Sequence, residues 1–148
     1  DLEKLLCKTG ALSLLEVIEL YKKNNIKKIS QDETKASYVQ KINTKMTKIE
    51  WRNEARVVHN QIRAFNPRPG AWCHIEINGQ VKRLKIFKTK IVEENGQPGE
   101  VLLYSLDGWK IACGKDAVFI LELQIEGKKR VSFPEFFRGI HQEPKVHN

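Results

Sequence analysis

Hydrophobic and polar positions change period twice along the chain. In residues 1–24, Leu2, Leu5 and Leu6, then Leu14, Leu15, Val17, Ile18 and Tyr21, recur at helical spacing. Gly10 separates the two groups, and Thr9 or Ser13 can cap the second, which predicts a helix interrupted at Gly10. Its single apolar stripe has nothing within the segment to bury it, as in the last helix of an upstream domain. Residues 30–48 are polar, with Tyr38, Val39, Ile42 and Met46 as the few anchors, and read as an extended linker lying on a surface. From Asn53 to Phe65 the helical period returns. Trp51, Ala55, Val58, Ile62 and Phe65 fall within an arc of roughly 80°, and Asn66-Pro67 ends the run. Beside that stripe lies a basic one of Arg52, Arg56, His59 and Arg63.

After Pro67-Arg68-Pro69-Gly70 the period becomes two. Ala71–Ile77 and Val81–Val92 flank Asn78-Gly79, a strong hairpin signal. The second strand contains a fault: Leu84 and Ile86 share one parity, Thr89 and Ile91 the other. A β-bulge near Phe87-Lys88 returns all four to the core and gathers Arg83, Lys85, Lys88 and Lys90 on the outer face. Strands Glu100–Ser105, Trp109–Cys113 and Ala117–Gln124 follow, separated by Asp107-Gly108 and Gly114-Lys115-Asp116 turns. Five short strands at this spacing predict a small closed or partly closed antiparallel barrel. A short helix closes it, with Ser132-x-x-Glu135 as a capping box, Pro134 in the first turn and Gly139 as the stop. The domain boundaries expected are 1–29, 30–48 and 49–148.

Charge sharpens the picture. The 148 residues carry a formal +8, and all of the excess sits in the middle: residues 36–92 alone sum to +9. A concentration of this kind makes a directed field and points to a polyanionic partner. Three basic sets carry it. They are the linker and helix (Lys41, Lys45, Lys48, Arg52, Arg63), the strand ridge (Arg68, Lys82, Arg83, Lys85, Lys88, Lys90) and the late loop (Lys128, Lys129, Arg130). Most are lysines, compact point charges suited to tracking a nucleic-acid backbone rather than reading bases. Charge alone does not choose between RNA and DNA.

The same residues exclude other classes. No apolar run approaches the ~20 residues of a membrane span, and Glu3, Lys4 and Lys8 break the first apolar cluster, so no signal peptide is read. Cys7, Cys73 and Cys113 are odd in number and far apart, and His59, His74, His141 and His147 form no ligand-spaced group with them. A disulfide framework and a metal site are therefore not expected, and the thiols read as buried in a reducing compartment. Adjacent Cys73 and His74 face opposite sides of a strand and cannot act as nucleophile and base. No catalytic constellation is visible. Among the aromatics, Trp72, Trp109 and Phe119 are expected in the core and Phe87 exposed.

One further pattern is longer and more specific. Ile62-Arg63-Ala64-Phe65-Asn66-Pro67-x-Pro69-Gly70-Ala71-Trp72 resembles the opening of the C-terminal domain in the methionyl-tRNA formyltransferase family. Tyr38-x-x-Lys41-Ile42 with Ile49-Glu50-Trp51 resembles that family's linker; Leu121-x-x-Gln124-x-x-Gly127-Lys128-Lys129 with Phe136-x-x-Gly139 resembles its close. Asp1-Leu2 and Gly10-Ala11 resemble the end of its catalytic domain, so the likeness covers nearly the whole chain. Arg68 departs from the pattern, standing where the family commonly has an aromatic. The resemblance implies a five-stranded Greek-key, OB-like barrel preceded by a helix from a Rossmann-like domain. It implies formyl transfer from 10-formyltetrahydrofolate to the methionine amino group of initiator methionyl-tRNA, with the folate and the catalytic residues on a missing N-terminal domain. This fragment is then expected to hold tRNA, to bind no cofactor and to be inactive alone. The expected setting is a monomer, off the membrane, in a bacterial cytoplasm or a mitochondrial matrix. Related formyltransferases, a formyltetrahydrofolate hydrolase and a non-enzymatic RNA-binding barrel are the alternatives.

Overall fold

The computed structural model describes residues 2–140 and 142–147; Asp1, His141 and Asn148, of which the first two entered the sequence reading, lie outside the described residues. The chain divides into two compact units, Asp1–Gln40 and Lys41–Asn148. In the first, helix α1 (Leu2–Lys22) runs unbroken through Gly10, correcting the expected interruption. One interior glycine costs about 1 kcal/mol, which the good helix formers around it offset. No residue of α1 is buried, so its leucines remain open to solvent. Asn24, at φ 49°, takes the left-handed position past the helix end. Further on, Asp32 caps a 3₁₀ turn at Glu33–Lys35, accepting from Thr34 N at 3.1 Å. No described helix is long and apolar enough to cross a membrane.

The second unit is mainly β: a curled antiparallel sheet with two helices on its core side. Its strands are β1 (Ala71–Ile77), β2 (Gln80–Val92), β3 (Val101–Ser105), β4 (Gly108–Ala112), β5 (Ala117–Ile125), β6 (Val131–Ser132) and β7 (Lys145–His147). They run in the order β3-β4-β5-β2-β1-β7, with β6 paired to the second half of β5. Seven described strands replace the five expected. The two additions are two and three residues long, too short to show a period. Asn78 and Gly79 both have positive φ, 51° and 73°, the geometry that matches the twist of the β1–β2 hairpin.

The fault in β2 is resolved by a paired irregularity. Ile86 opposes Leu123 and Thr89 opposes Ile120, but Lys88 opposes Glu122, so Phe87 is extra on β2 and Leu121 on β5. Both strands thus reverse parity together and their core residues stay aligned. Leu84, Ile86 and Thr89 turn inward as expected. Ile91 takes the same face, opposite core residue Val118, but is 39% exposed where β2 runs out. Phe87 is corrected, being only 5% exposed, with the Arg130 guanidinium 4.3 Å from its ring centroid.

Helix α2 (Ala55–Ala64) buries Ala55, Val58 and Ile62 in the core, with Trp51 just ahead of it fully enclosed. It begins two residues later than its pattern predicts, since residues 51–54 form a turn docked on the β4–β5 connection. Gly114 N donates to Asn53 O at 2.8 Å and Ala55 N to Lys115 O at 2.9 Å. Helix α3 (Phe133–Gly139) inserts Phe133 and Phe136, the latter stacked on Trp109 with centroids 5.7 Å apart. Ser132 is its N-cap but makes no side-chain cap bond, so the capping box is not formed. Ser132 is held in β6 opposite Glu122, and Pro134 removes one first-turn donor.

Candidate nucleic-acid interface

Residues directly opposed across antiparallel strands share a face. Cys73 opposite Leu84 defines the core side, so Trp72 opposite Lys85 and His74 opposite Arg83 lie on the outer side. The paired irregularity then places Lys88 and Lys90 on that same outer face, both exposed. Four cations of β2 therefore form the ridge expected from the sequence. Lys82 does not join it. It opposes Ile75 and stands at a core-side position near the end of the sheet.

The ridge is fixed from both sides. The Arg83 guanidinium carbon lies 4.5 Å from the Trp72 ring centroid, and the Trp72 and His74 rings meet edge to face at 5.0 Å. Arg83 Nε is buried with no hydrogen-bond partner among the described residues. Lys85 Nζ donates to Pro69 O at 2.9 Å. Trp72 Nε1 donates to Thr47 Oγ1 at 3.0 Å, and Ile49 N donates to Trp72 O at 2.7 Å. Gln61 Nε2 reaches the carbonyls of Met46 and Lys48 at 3.0 and 2.9 Å. Together these bonds lay residues 44–49 against β1 and α2, bringing Lys45 and Lys48 near the ridge; Lys41 is exposed just ahead of them.

Two clefts share Arg83 and Lys85 as a common wall. One, of about 360 Å³, adds Asn43, Thr44, Thr47, Gly70 and Trp72; the other, about 250 Å³, adds Gln124, Glu126 and Gly127. Sequence reasoning missed the neutral residues of these walls and the acidic Glu126. Trp72 read as core because a small barrel needs filling, whereas its ring forms part of the outer wall. The amides and hydroxyls carry no pattern that marks them out.

The remaining basic residues are differently placed. Arg52, Arg63 and Arg68 are exposed, on the turn before α2, near its end and in the Pro-rich loop. Three of the fourteen candidates have carboxylate partners among the described residues: Lys48 with Glu50 at 3.7 Å, Lys88 with Glu122 at 4.0 Å, and Arg130 with Glu122 through Nε at 2.9 Å. Arg130 also donates to Asn66 Oδ1 at 3.2 Å, so its guanidinium joins β5 to the Pro-rich loop. Lys128 and Lys129 line a separate cavity with Lys82.

Burial shifts two thiols and one imidazole of the module. Burial pushes the Cys73 thiol up to about 12 and the Cys113 thiol likewise to about 12. His59, hydrogen-bonded through Nδ1 to Thr89 Oγ1 at 2.8 Å, is pulled below its ordinary 6.5, first by burial and then by the charge of Arg63. Among the described residues no three His, Cys, Asp or Glu side chains gather as a metal site.

Fold and site define a small antiparallel β module that presents a basic outer face. The chain belongs to the formyl transferase C-terminal domain family, which matches residues 41–141. It is 36% identical over 141 residues to the methionyl-tRNA formyltransferase of Protochlamydia amoebophila, covering 95% of this chain and 44% of that protein. To the methionyl-tRNA formyltransferase of Neisseria meningitidis serogroup C it is 37% identical over 139 residues, covering 93% and 44%. The chain thus spans less than half the length of these relatives. Among solved structures, HypX from Aquifex aeolicus in complex with tetrahydrofolic acid superposes with a TM-score of 0.64 at 21% identity, over 84% of this chain and 22% of that one. A multiply substituted variant of the same protein gives a TM-score of 0.63 at 22% identity, over 88% and 24%. At that identity the likeness is one of fold.

Proposed function

We propose that this segment is the RNA-holding part of a methionyl-tRNA formyltransferase and grips the backbone of initiator methionyl-tRNA. Formyl transfer from 10-formyltetrahydrofolate belongs, on this reading, to the N-terminal portion of the longer protein, of which residues 1–29 are the helical tail. Residues 30–48 then serve as the linker and 49–148 as the tRNA-binding domain, within a monomeric enzyme of the cytoplasm or mitochondrial matrix. The observation that carries the reading is the ridge itself. Arg83 and Lys85 stand between two clefts, Lys88 and Lys90 extend the line, and neutralising the ridge requires a partner with regularly spaced anions. An OB-like description of the sheet is supported by its strand order: β3, β4 and β5 follow as a meander while β2 returns beside β5, a Greek-key arrangement.

Filter binding of initiator tRNA over a salt series tests this. Neutralising about five phosphates gives a slope of log K against log salt of roughly −3.5 to −4.5. Arg83→Ala with Lys85→Ala is expected to flatten the slope by about 1.4 to 1.8 while the far-ultraviolet circular dichroism stays that of the parent. A salt-independent affinity, or a double variant with an unchanged slope, overturns the proposal.

A further inference from the structure

We propose that the cavity between α3 and the β5–β6 turn is a nucleotide site that accepts one unstacked base of the bound RNA. The inference rests on the RNA-holding reading above and extends it from charge to shape. The cavity has a volume of about 510 Å³, within the range of small-ligand sites. Ile77, Ile125, Val131 and Phe136 supply apolar wall; Lys82, Lys128 and Lys129 are the basic residues of the lining and Glu126 the acidic one. The two features exclude the simpler occupants: a bare phosphate gains nothing from the apolar wall, and a neutral apolar molecule nothing from three cations. What suits both is a flat, weakly polar body carrying an anion, and a nucleotide is such a molecule.

Two further observations favour a nucleotide that arrives within RNA. Lys82 stands on the core side of the sheet opposite Ile75, where β2 otherwise places Leu84 and Ile86. A lysine there presents its charge to the cavity rather than to the outer ridge, which an anion entering the cavity explains. Glu126 lines both this cavity and the cleft walled by Arg83 and Lys85. The β5–β6 turn is therefore a shared rim, and a strand tracked along the ridge has only to cross that turn to place a base in the cavity, with its phosphate against Lys128 and Lys129.

The test uses the chain as it stands with a single-stranded RNA of about twelve nucleotides and a matched oligomer whose riboses lack bases. Gly139 lines the cavity, and a Cβ there meets no atom within 4 Å, so Gly139→Phe adds a ring at the cavity edge without a clash at Cβ. Its expected effect is a roughly tenfold loss of affinity for the base-bearing RNA and none for the abasic one. Lys82→Met, which removes the charge and keeps the length, is expected to weaken the base-bearing RNA about threefold and serves if the larger residue disturbs folding. Equal affinity of parent and both variants for base-bearing RNA overturns the nucleotide site and leaves the ridge reading intact. Absence of salt-sensitive binding to either oligomer overturns both. Binding of free AMP lost in Gly139→Phe, with RNA affinity unchanged, assigns the cavity to a free nucleotide and overturns the RNA-borne base. Binding of an acidic amphipathic peptide lost in the same way overturns it in favour of a protein partner.

Discussion

Gly114→Ala isolates the contact that positions the basic turn before α2. A Cβ at Gly114 lies 2.0 Å from the carbonyl oxygen of Arg52 and 2.9 Å from its carbonyl carbon, so the clash is with main chain and no side chain can swing away. The two segments must part by about 1 Å to reach even a tight contact. That displacement breaks or strains Gly114 N to Asn53 O and Ala55 N to Lys115 O, the bonds that dock the turn and start the helix. Each contributes about 1 kcal/mol net, and overpacking next to the enclosed Trp51 and Ala55 adds about 1–3 kcal/mol. The sum is a loss of about 3–5 kcal/mol, or a fall in Tm of roughly 15–25 °C for a domain of this size. Thermal unfolding followed by near-ultraviolet circular dichroism, sensitive to the packing of Trp51, measures it. Gly139→Ala is the control, since its added methyl meets nothing, and is expected to change stability by less than about 1 kcal/mol. A Gly114→Ala protein that melts within 2 °C of the parent, to take about the resolution of such a scan, refutes the argument that this turn is rigidly docked.

Two other outcomes follow from buried groups. The folded state holds the pKa of His59 below 6.5, so it favours the neutral ring; that contribution is present above about pH 6.5 and is lost as pH falls through the folded value. His59→Gln is expected to show a smaller drop in Tm between about pH 7.5 and 5 than the parent, and an equal drop speaks against the assignment. Thiol labelling of the native protein is expected to modify exposed Cys7 rapidly, with Cys73 and Cys113 reacting only in denaturant; early labelling of either by mass spectrometry contradicts their burial.

Much of the module was legible because its chemistry is local. The Asn78-Gly79 hairpin follows from two positions that tolerate positive φ, and the core stripe of α2 from its period. The bulge in β2 was legible as a parity fault between Ile86 and Thr89. The same signal stood unread in β5, where Val118 and Ile120 share one parity and Leu123 and Ile125 the other. Reading the two faults as one paired irregularity needs the register, which no single strand contains. Phe87 was misplaced for a related reason. Its cover is an arginine 43 positions later, and a cation stacked on a ring leaves no periodic trace. The break expected at Gly10 failed because a glycine's cost is small beside the propensity of two helical turns on either side.

The candidate site was legible in charge and only partly in shape. Twelve cations in residues 36–92 say that a field exists, but the sheet decides where it points. Alternation assigns Arg83 and Lys85 to one face and Lys82 to the other, so a sequence reading that counts all three as one ridge combines two surfaces. Carboxylates then divide the ridge again. Glu122 lies against both Lys88 and Arg130, and a partner phosphate at Lys88 competes with a charge already in place. Lys90, two residues on and on the same face, has no carboxylate within 4.0 Å among the described residues. Of the four ridge cations, Arg83, Lys85 and Lys90 thus have no carboxylate within 4.0 Å among the described residues, and Lys88 has one. Recognition by such a surface depends less on the number of lysines than on which of them the fold leaves without an internal counter-charge.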